Sequence, residues 1–141
     1  ATKTDKQTIT STSMIDVTGL SVSITPSSTS SKILTIVNCH GGHDNVNYML
    51  WNIVRNSTAV SASTSGHAYP SMMNSYVGDS VAGGSAFMNL GMNFLDSPST
   101  TSATTYKVQF STTGGTAVVN GRTSNNNGAT VSTITVMEIA G

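Results

Sequence analysis

An all-β fold, a single antiparallel β-sandwich of jelly-roll type with eight or nine strands, is what this sequence predicts. Three observations lead there. Thr, Val, Ile and Ser dominate, whereas the helix formers Glu, Lys, Leu, Gln and Arg are rare. Short runs with apolar residues at alternate positions recur between turn signals. No stretch has a helical period long enough to carry a βαβ crossover.

The elements follow in order. A first strand is expected within Thr8 to Val17, behind an N-terminal arm formed by residues 1–13, with Gly19 breaking it. Leu20, Val22 and Ile24 then alternate with Ser21, Ser23 and Thr25, which puts the three apolar side chains on one buried face. Pro26 and the hydroxyl-rich run to Ser31 form a turn. From Lys32 to Cys39 the run Ile33, Leu34, Ile36, Val37 is apolar on both faces, as in a strand covered on either side, and His40, Gly41 and Gly42 end it. Val46 to Arg55 is also apolar on both parities, and a hairpin at Asn56 and Ser57 returns the chain along Ala59 to Ser61.

Between Ala62 and Gly84 the pattern weakens to a long loop or an irregular strand pair, the kind of segment in which functional variation concentrates. Regular alternation resumes at Ala86 to Leu95, with Met88, Leu90, Met92 and Phe94 on one face. It continues in Tyr106, Val108 and Phe110. Thr113 to Thr116 reads as a hairpin turn into Ala117 to Val119, and a polar loop from Arg122 to Gly128 leads to a last strand, Val131 to Ile139.

At 141 residues the chain is one domain, residues 1–141, long enough to bury roughly two-thirds of its unfolded surface without a disulfide or metal staple. The lone Cys39 has no intrachain partner, and no apolar stretch approaches the roughly 18 residues of a membrane span. No secretory leader is recognisable, and a start at Ala1 suits either a short chain that has lost its initiator Met or a cut fragment. Charged residues make up 9%, against about 25% in ordinary domains, and the net charge is zero. Its six Lys and Arg are scattered, so no nucleic-acid footprint is expected. Ser and Thr supply 22 residues each. A surface of neutral hydroxyls and amides desolvates cheaply and repels its own copies little, which favours self-association.

Candidate sites are few. His40, His43 and Asp44, beside Cys39, form the one dense group of metal-ligand types, since an i, i+3 histidine pair plus a carboxylate can converge on one ion. A polar Gly-Gly loop explains the same residues, so no metal or other cofactor is expected. No nucleophile elbow occurs, Cys39 and His40 are adjacent and point to opposite faces of a strand, and the acids are scattered, so no catalytic residues are assigned and an enzyme is not expected. The Gly78 to Gly84 segment lacks the Lys of a phosphate loop, and the Asn56–Thr58 sequon is read as chance. Trp51 sits in the most apolar strand and belongs in the core. Tyr69 and Tyr76, in the weakly patterned middle, are the exposed pair suited to stacking on a sugar ring.

Three phrases carry a resemblance. TSTSMIDVTGLSVSITPSSTSSKILTIV (Thr10 to Val37), LDSPSTTSATTYKVQFSTTGG (Leu95 to Gly115) and the closing STITVMEIAG together resemble a module that recurs in structural proteins of tailed phages, notably at tail-fibre C-termini. They cover about half of the chain, in order; the middle, Asn38 to Phe94, matches only loosely through IVRNSTAVS (Ile53 to Ser61). The resemblance implies a virion protein, trimeric and β-sandwich in fold, and supplies no catalytic residues. In fibres the module follows a long shaft, which a start at Ala1 leaves no room for. The leading expectation is therefore a homotrimeric capsid decoration (cement) protein that stabilises the shell beside the major capsid protein. The alternative is a tail-fibre or spike tip that binds a host surface glycan through loops around Tyr69 to Ala86; a polysaccharide hydrolase is the remote third.

Overall fold

The computed structural model describes residues 1–63, 66, 68–76, 86–124 and 128–141. Among these residues there is no helix, and so none long and apolar enough to cross a membrane. Eleven strands form there: β1 (Thr2–Lys3), β2 (Gln7–Ile9), β3 (Ile15–Ile24), β4 (Lys32–His43), β5 (Tyr48–Arg55), β6 (Thr58–Ala59), β7 (Met73–Tyr76), β8 (Ala86–Asp96), β9 (Thr104–Thr112), β10 (Ala117–Val119) and β11 (Ser132–Ile139). They make two antiparallel sheets.

In the first sheet β4 is the spine. β8 pairs along one side of it from Ile33 to His43, while on the other side β11 takes Lys32 to Asn38 and β10 takes Gly41 to His43. β1 pairs with β11, and β2 with β10. β10 and β11 thus lie end to end in one row, as do β1 and β2 in the next. The second sheet runs β3, β9, β5, with β6 and β7 end to end along the far side of β5. Eleven elements therefore occupy eight rows, four in each sheet, because three of the rows are interrupted.

Both sheets feed one core. Leu20, Val37, Trp51, Val108, Phe110 and Ile134 are all essentially inaccessible, and the Trp51 and Phe110 rings meet at 4.0 Å. The alternations predicted for β8 and β9 hold: Leu90 and Met92 are buried between exposed Phe87, Asn89 and Asn93, and Tyr106, Val108 and Phe110 are fully buried. β5 is interior on both parities, and the chain is bonded along its flank beyond β6 and before β7. There Val60 N–H donates to Ile53 O at 3.1 Å, and Met72 N–H donates to Asn52 Oδ1 at 2.8 Å.

Other expectations are corrected. β4 does not stop at His40; it runs through both glycines to His43. Gly41 faces the indole of Trp51, and a Cβ there would lie 3.1 Å from Cζ2, so this glycine makes room for a ring arriving from the opposite sheet. Nor is β4 covered on both faces: Ile36 is 37% exposed, and Leu34 is half-buried. Gly19, at φ +87°, does not end a strand but sits in a bulge of β3, where the register on β9 jumps between Asp16 and Ser21. The turn from Thr113 to Thr116 is no hairpin, since β9 and β10 belong to different sheets. Residues 1–13, expected as an extended N-terminal arm, pair with the first sheet through β1 and β2. Ala1 donates its amino group to Ile134 O at 2.7 Å, Lys3 and Ile9 are buried, and Thr8 pairs with Val118. Two- and three-residue strands are too short to show a period, which is why these escaped the pattern.

Candidate functional site

Tyr48 opens β5 and Tyr76 closes β7, and the antiparallel register sets them directly opposite. Residues so paired project from the same face. The two rings lie 4.9 Å apart, tilted by 44°, and Tyr69, from the segment leading into β7, joins from the other side at 5.5 Å and 35°. All three are exposed, at 37% for Tyr48, 43% for Tyr69 and 53% for Tyr76. Tyr69 and Tyr76 are the exposed pair expected from the sequence; Tyr48, within the apolar Val46 to Arg55 segment, is the third member, which the sequence pattern does not single out as exposed.

Local bonds hold the cluster. Tyr48 N–H donates to Thr113 Oγ1 at 3.0 Å, and Tyr48 O accepts from Thr113 N–H at 3.1 Å, fixing the start of β5 to the inter-sheet turn. Met72 N–H, bonded to Trp51 O and Asn52 Oδ1, fixes the entry to β7. Ser71 Oγ donates to Asn74 Oδ1 across the turn. Beside the rings opens a cleft of about 350 Å³ lined by Tyr48, Ser63, Ala68, Tyr69, Ser71 and Asn74. Its described lining residues offer aromatic faces, hydroxyls and an amide, and none of them is charged. Aromatic faces stack on the apolar C–H face of a pyranose while neutral donors and acceptors meet its hydroxyls, so the arrangement suits a neutral sugar. Of the loop expected to contribute, residues 77–85 lie outside the described residues, and with them the whole Gly78 to Gly84 segment.

The metal-ligand candidates are not brought together. His40 lies on the outer face of the first sheet and stacks on Phe87, with ring centroids 6.0 Å apart. His43, three residues on along an extended strand, faces inward and is fully buried. Its Nδ1 accepts from Asn45 N–H at 3.0 Å, so its proton sits on Nε2, which donates to Thr112 Oγ1 at 2.7 Å. Thr112 in turn donates to Gly114 O at 2.6 Å. Asp44 Oδ1 lies 3.5 Å from His43 Nδ1 and accepts from Thr116 N–H at 2.8 Å. His43 and Asp44 together pin the inter-sheet turn; among the described residues no group of three or more His, Cys, Asp or Glu could hold an ion.

The other residues weighed in the sequence lie outside this cluster. Cys39 is buried, its thiol pushed up to about 12 by desolvation against a smaller opposing effect of the Ser132 hydroxyl. Trp51 is fully buried. Asp16 is bonded to Lys107 at 2.7 Å and Gln109 at 2.8 Å, Asp96 to Arg55 and Tyr106, and Glu138 to Ser27. Each carboxylate is held by its own partners. Asn56, at the head of the sequon, takes φ +53° in the turn between β5 and β6. No protein-family model matches the chain, and no curated protein matches it.

Proposed function

We propose that the chain is a non-enzymatic structural module of a tailed-phage virion that binds a glycan of the host surface, as the tip of a tail fibre or spike does. The observation that carries the binding role is the exposed Tyr48–Tyr69–Tyr76 cluster at the edge of a cleft whose described lining residues are uncharged. The phage setting rests on the resemblance of the segments Thr10 to Val37, Leu95 to Gly115 and Ser132 to Gly141. We read the row order, β8, β4, β10/β11, β1/β2 against β3, β9, β5, β6/β7, as that of an eight-stranded jelly roll, an architecture used for capsid and lectin domains.

The test is binding of the purified chain to host cell-surface polysaccharide and to a panel of neutral and acidic glycans. Binding to a neutral glycan that falls at least tenfold in Tyr76→Ala, with an unchanged circular dichroism spectrum, supports the reading. No binding to any glycan, or binding indifferent to Tyr76→Ala and Tyr69→Ala, overturns it.

Capsid decoration is the second reading, favoured by the apolar residues on the solvent side of the first sheet. Copy number separates the two: hundreds of chains per particle mean decoration, a few dozen or fewer mean a fibre.

A further inference from the structure

Solvent-facing sides of antiparallel sheets normally carry polar residues. On the first sheet this rule fails at one end. Leu95, Leu34 and Met137 stand directly opposite one another across β8, β4 and β11, and Ile36 and Ile139 adjoin them. Leu95 is 49% exposed, Ile139 44% and Met137 43%. The second sheet differs. Along β5 its outward-parity residues Leu50, Asn52 and Val54 are buried, and along β3 and β9 it carries the Asp16, Lys107 and Gln109 network.

We infer that the outer face of β8, β4 and β11 is the surface on which a second copy of this chain packs. Three properties of the face select that occupant. Among the described outward-facing positions of these strands Lys32 is the only charge, so a charged partner finds little to pair with and two copies repel little. Its exposed polar groups include Asn38, Asn89, Asn93 and Thr135, and each amide or hydroxyl both donates and accepts, so the face complements itself, as contacts between identical chains require. It is also of a suitable size: strands of 11, 12 and 8 residues set in rows about 4.8 Å apart give a face on the order of 500 Å² in projection, the same order as the ~800 Å² per partner of a stable complex.

The inference is independent of the tyrosine site, which lies on the other sheet. Sedimentation velocity on the purified chain is expected to give two or three times 14.5 kDa. Ile36→Lys and Met137→Lys, both pointing into solvent from their own sheet, are each expected to reduce this to the single-chain mass while glycan binding by the tyrosine cluster persists. A chain that is monomeric at the concentrations used for binding, or lysine variants that fold and keep the parent mass, overturn it. Should either variant fail to fold, nitroxide labels give the same answer in the parent background. Labels at Asn93→Cys are expected closer between copies than labels at Gln109→Cys on the opposite sheet, and the reverse order overturns the inference.

Discussion

Asn120 Oδ1 accepts a 2.5 Å hydrogen bond from Ser132 Oγ, joining the two ends of the excursion that separates β10 from β11. The same amide donates to Lys3 O at 2.8 Å and to Asp5 O at 3.3 Å, where β1 leaves its row, and Asn120 N–H donates to His40 O at 3.0 Å on β4. His40 N–H donates to Ser132 Oγ at 3.1 Å, closing the circuit. One buried side chain therefore sutures two interrupted rows to the spine of the sheet.

Asn120 also holds φ +59°, a conformation that Asn tolerates and Ala does not. Asn120→Ala is expected to cost about 3 kcal/mol, combining unpaired buried groups with backbone strain of about 1 kcal/mol. Asn120→Gly removes the bonds without the strain. Urea unfolding should place the glycine variant about 1 kcal/mol above the alanine variant; equal midpoints would remove the backbone part of this account.

Cys39 is expected to be inert in the native state. Burial pushes its thiol up to about 12, so the thiolate fraction at pH 8 falls on the order of a thousandfold below that of a free cysteine, before access is considered. A soluble thiol reagent should label one group per chain in denaturant and almost none in buffer. Rapid native labelling would mean that the β4–β8 pairing opens.

Acid should destabilise the protein through surface carboxylates. Bonds from Ser27 hold the Glu138 carboxyl below its ordinary value, and bonds from Lys107 and then Gln109 do the same for Asp16. A depressed folded value means stability that is present above the unfolded value and lost as pH falls through the folded one. The thermal midpoint is therefore expected to hold through the neutral range with respect to these groups, then to decline as pH drops through and below roughly 4. In Asp16→Asn the decline between pH 5 and pH 3 should be shallower; an unchanged slope would mean that the Lys107 contact does not persist in solution. Both groups are largely exposed, so the change is small.

How far the sequence reveals this molecule depends on where the deciding partner sits. In β9 the burial of Tyr106, Val108 and Phe110 follows from alternation along a single strand, and it could be read directly. The extension of β4 through Gly41 could not, because its reason is an indole from β5 in the other sheet, and a Gly-Gly pair read alone signals a turn. Tyr69 and Tyr76 stood out as aromatic side chains in a weakly patterned segment. Tyr48 did not, since its exposure arises from its place at the very start of β5, opposite Tyr76. His40 and His43 looked like a pair because the loop assigned to them was a strand, and strand geometry turns residues three apart to opposite sides.

Asp96 supplies the sharpest test of how the sheets are tied together. It ends β8 in the first sheet, yet its Oδ2 accepts from Arg55 Nη1 at 2.8 Å and from the Tyr106 hydroxyl at 2.7 Å, both in the second. Burial, and then the bond to Asp96, raises the Tyr106 hydroxyl well above its ordinary value, so it remains a donor at any working pH. Tyr106→Phe removes one bond and leaves the ion pair, with an expected loss of about 1 kcal/mol. Asp96→Asn keeps an acceptor for the hydroxyl but loses the charge facing Arg55, and should fall lower. Asp96→Ala strands a fully buried hydroxyl and a guanidinium whose side chain is 27% exposed; that partial access to water limits the loss to about 3 kcal/mol, the low end for a broken buried pair. Urea midpoints should rank Tyr106→Phe above Asp96→Asn above Asp96→Ala. An alanine variant as stable as the phenylalanine one would show that apolar packing alone joins the sheets, and that the Arg55–Asp96 contact adds nothing in water.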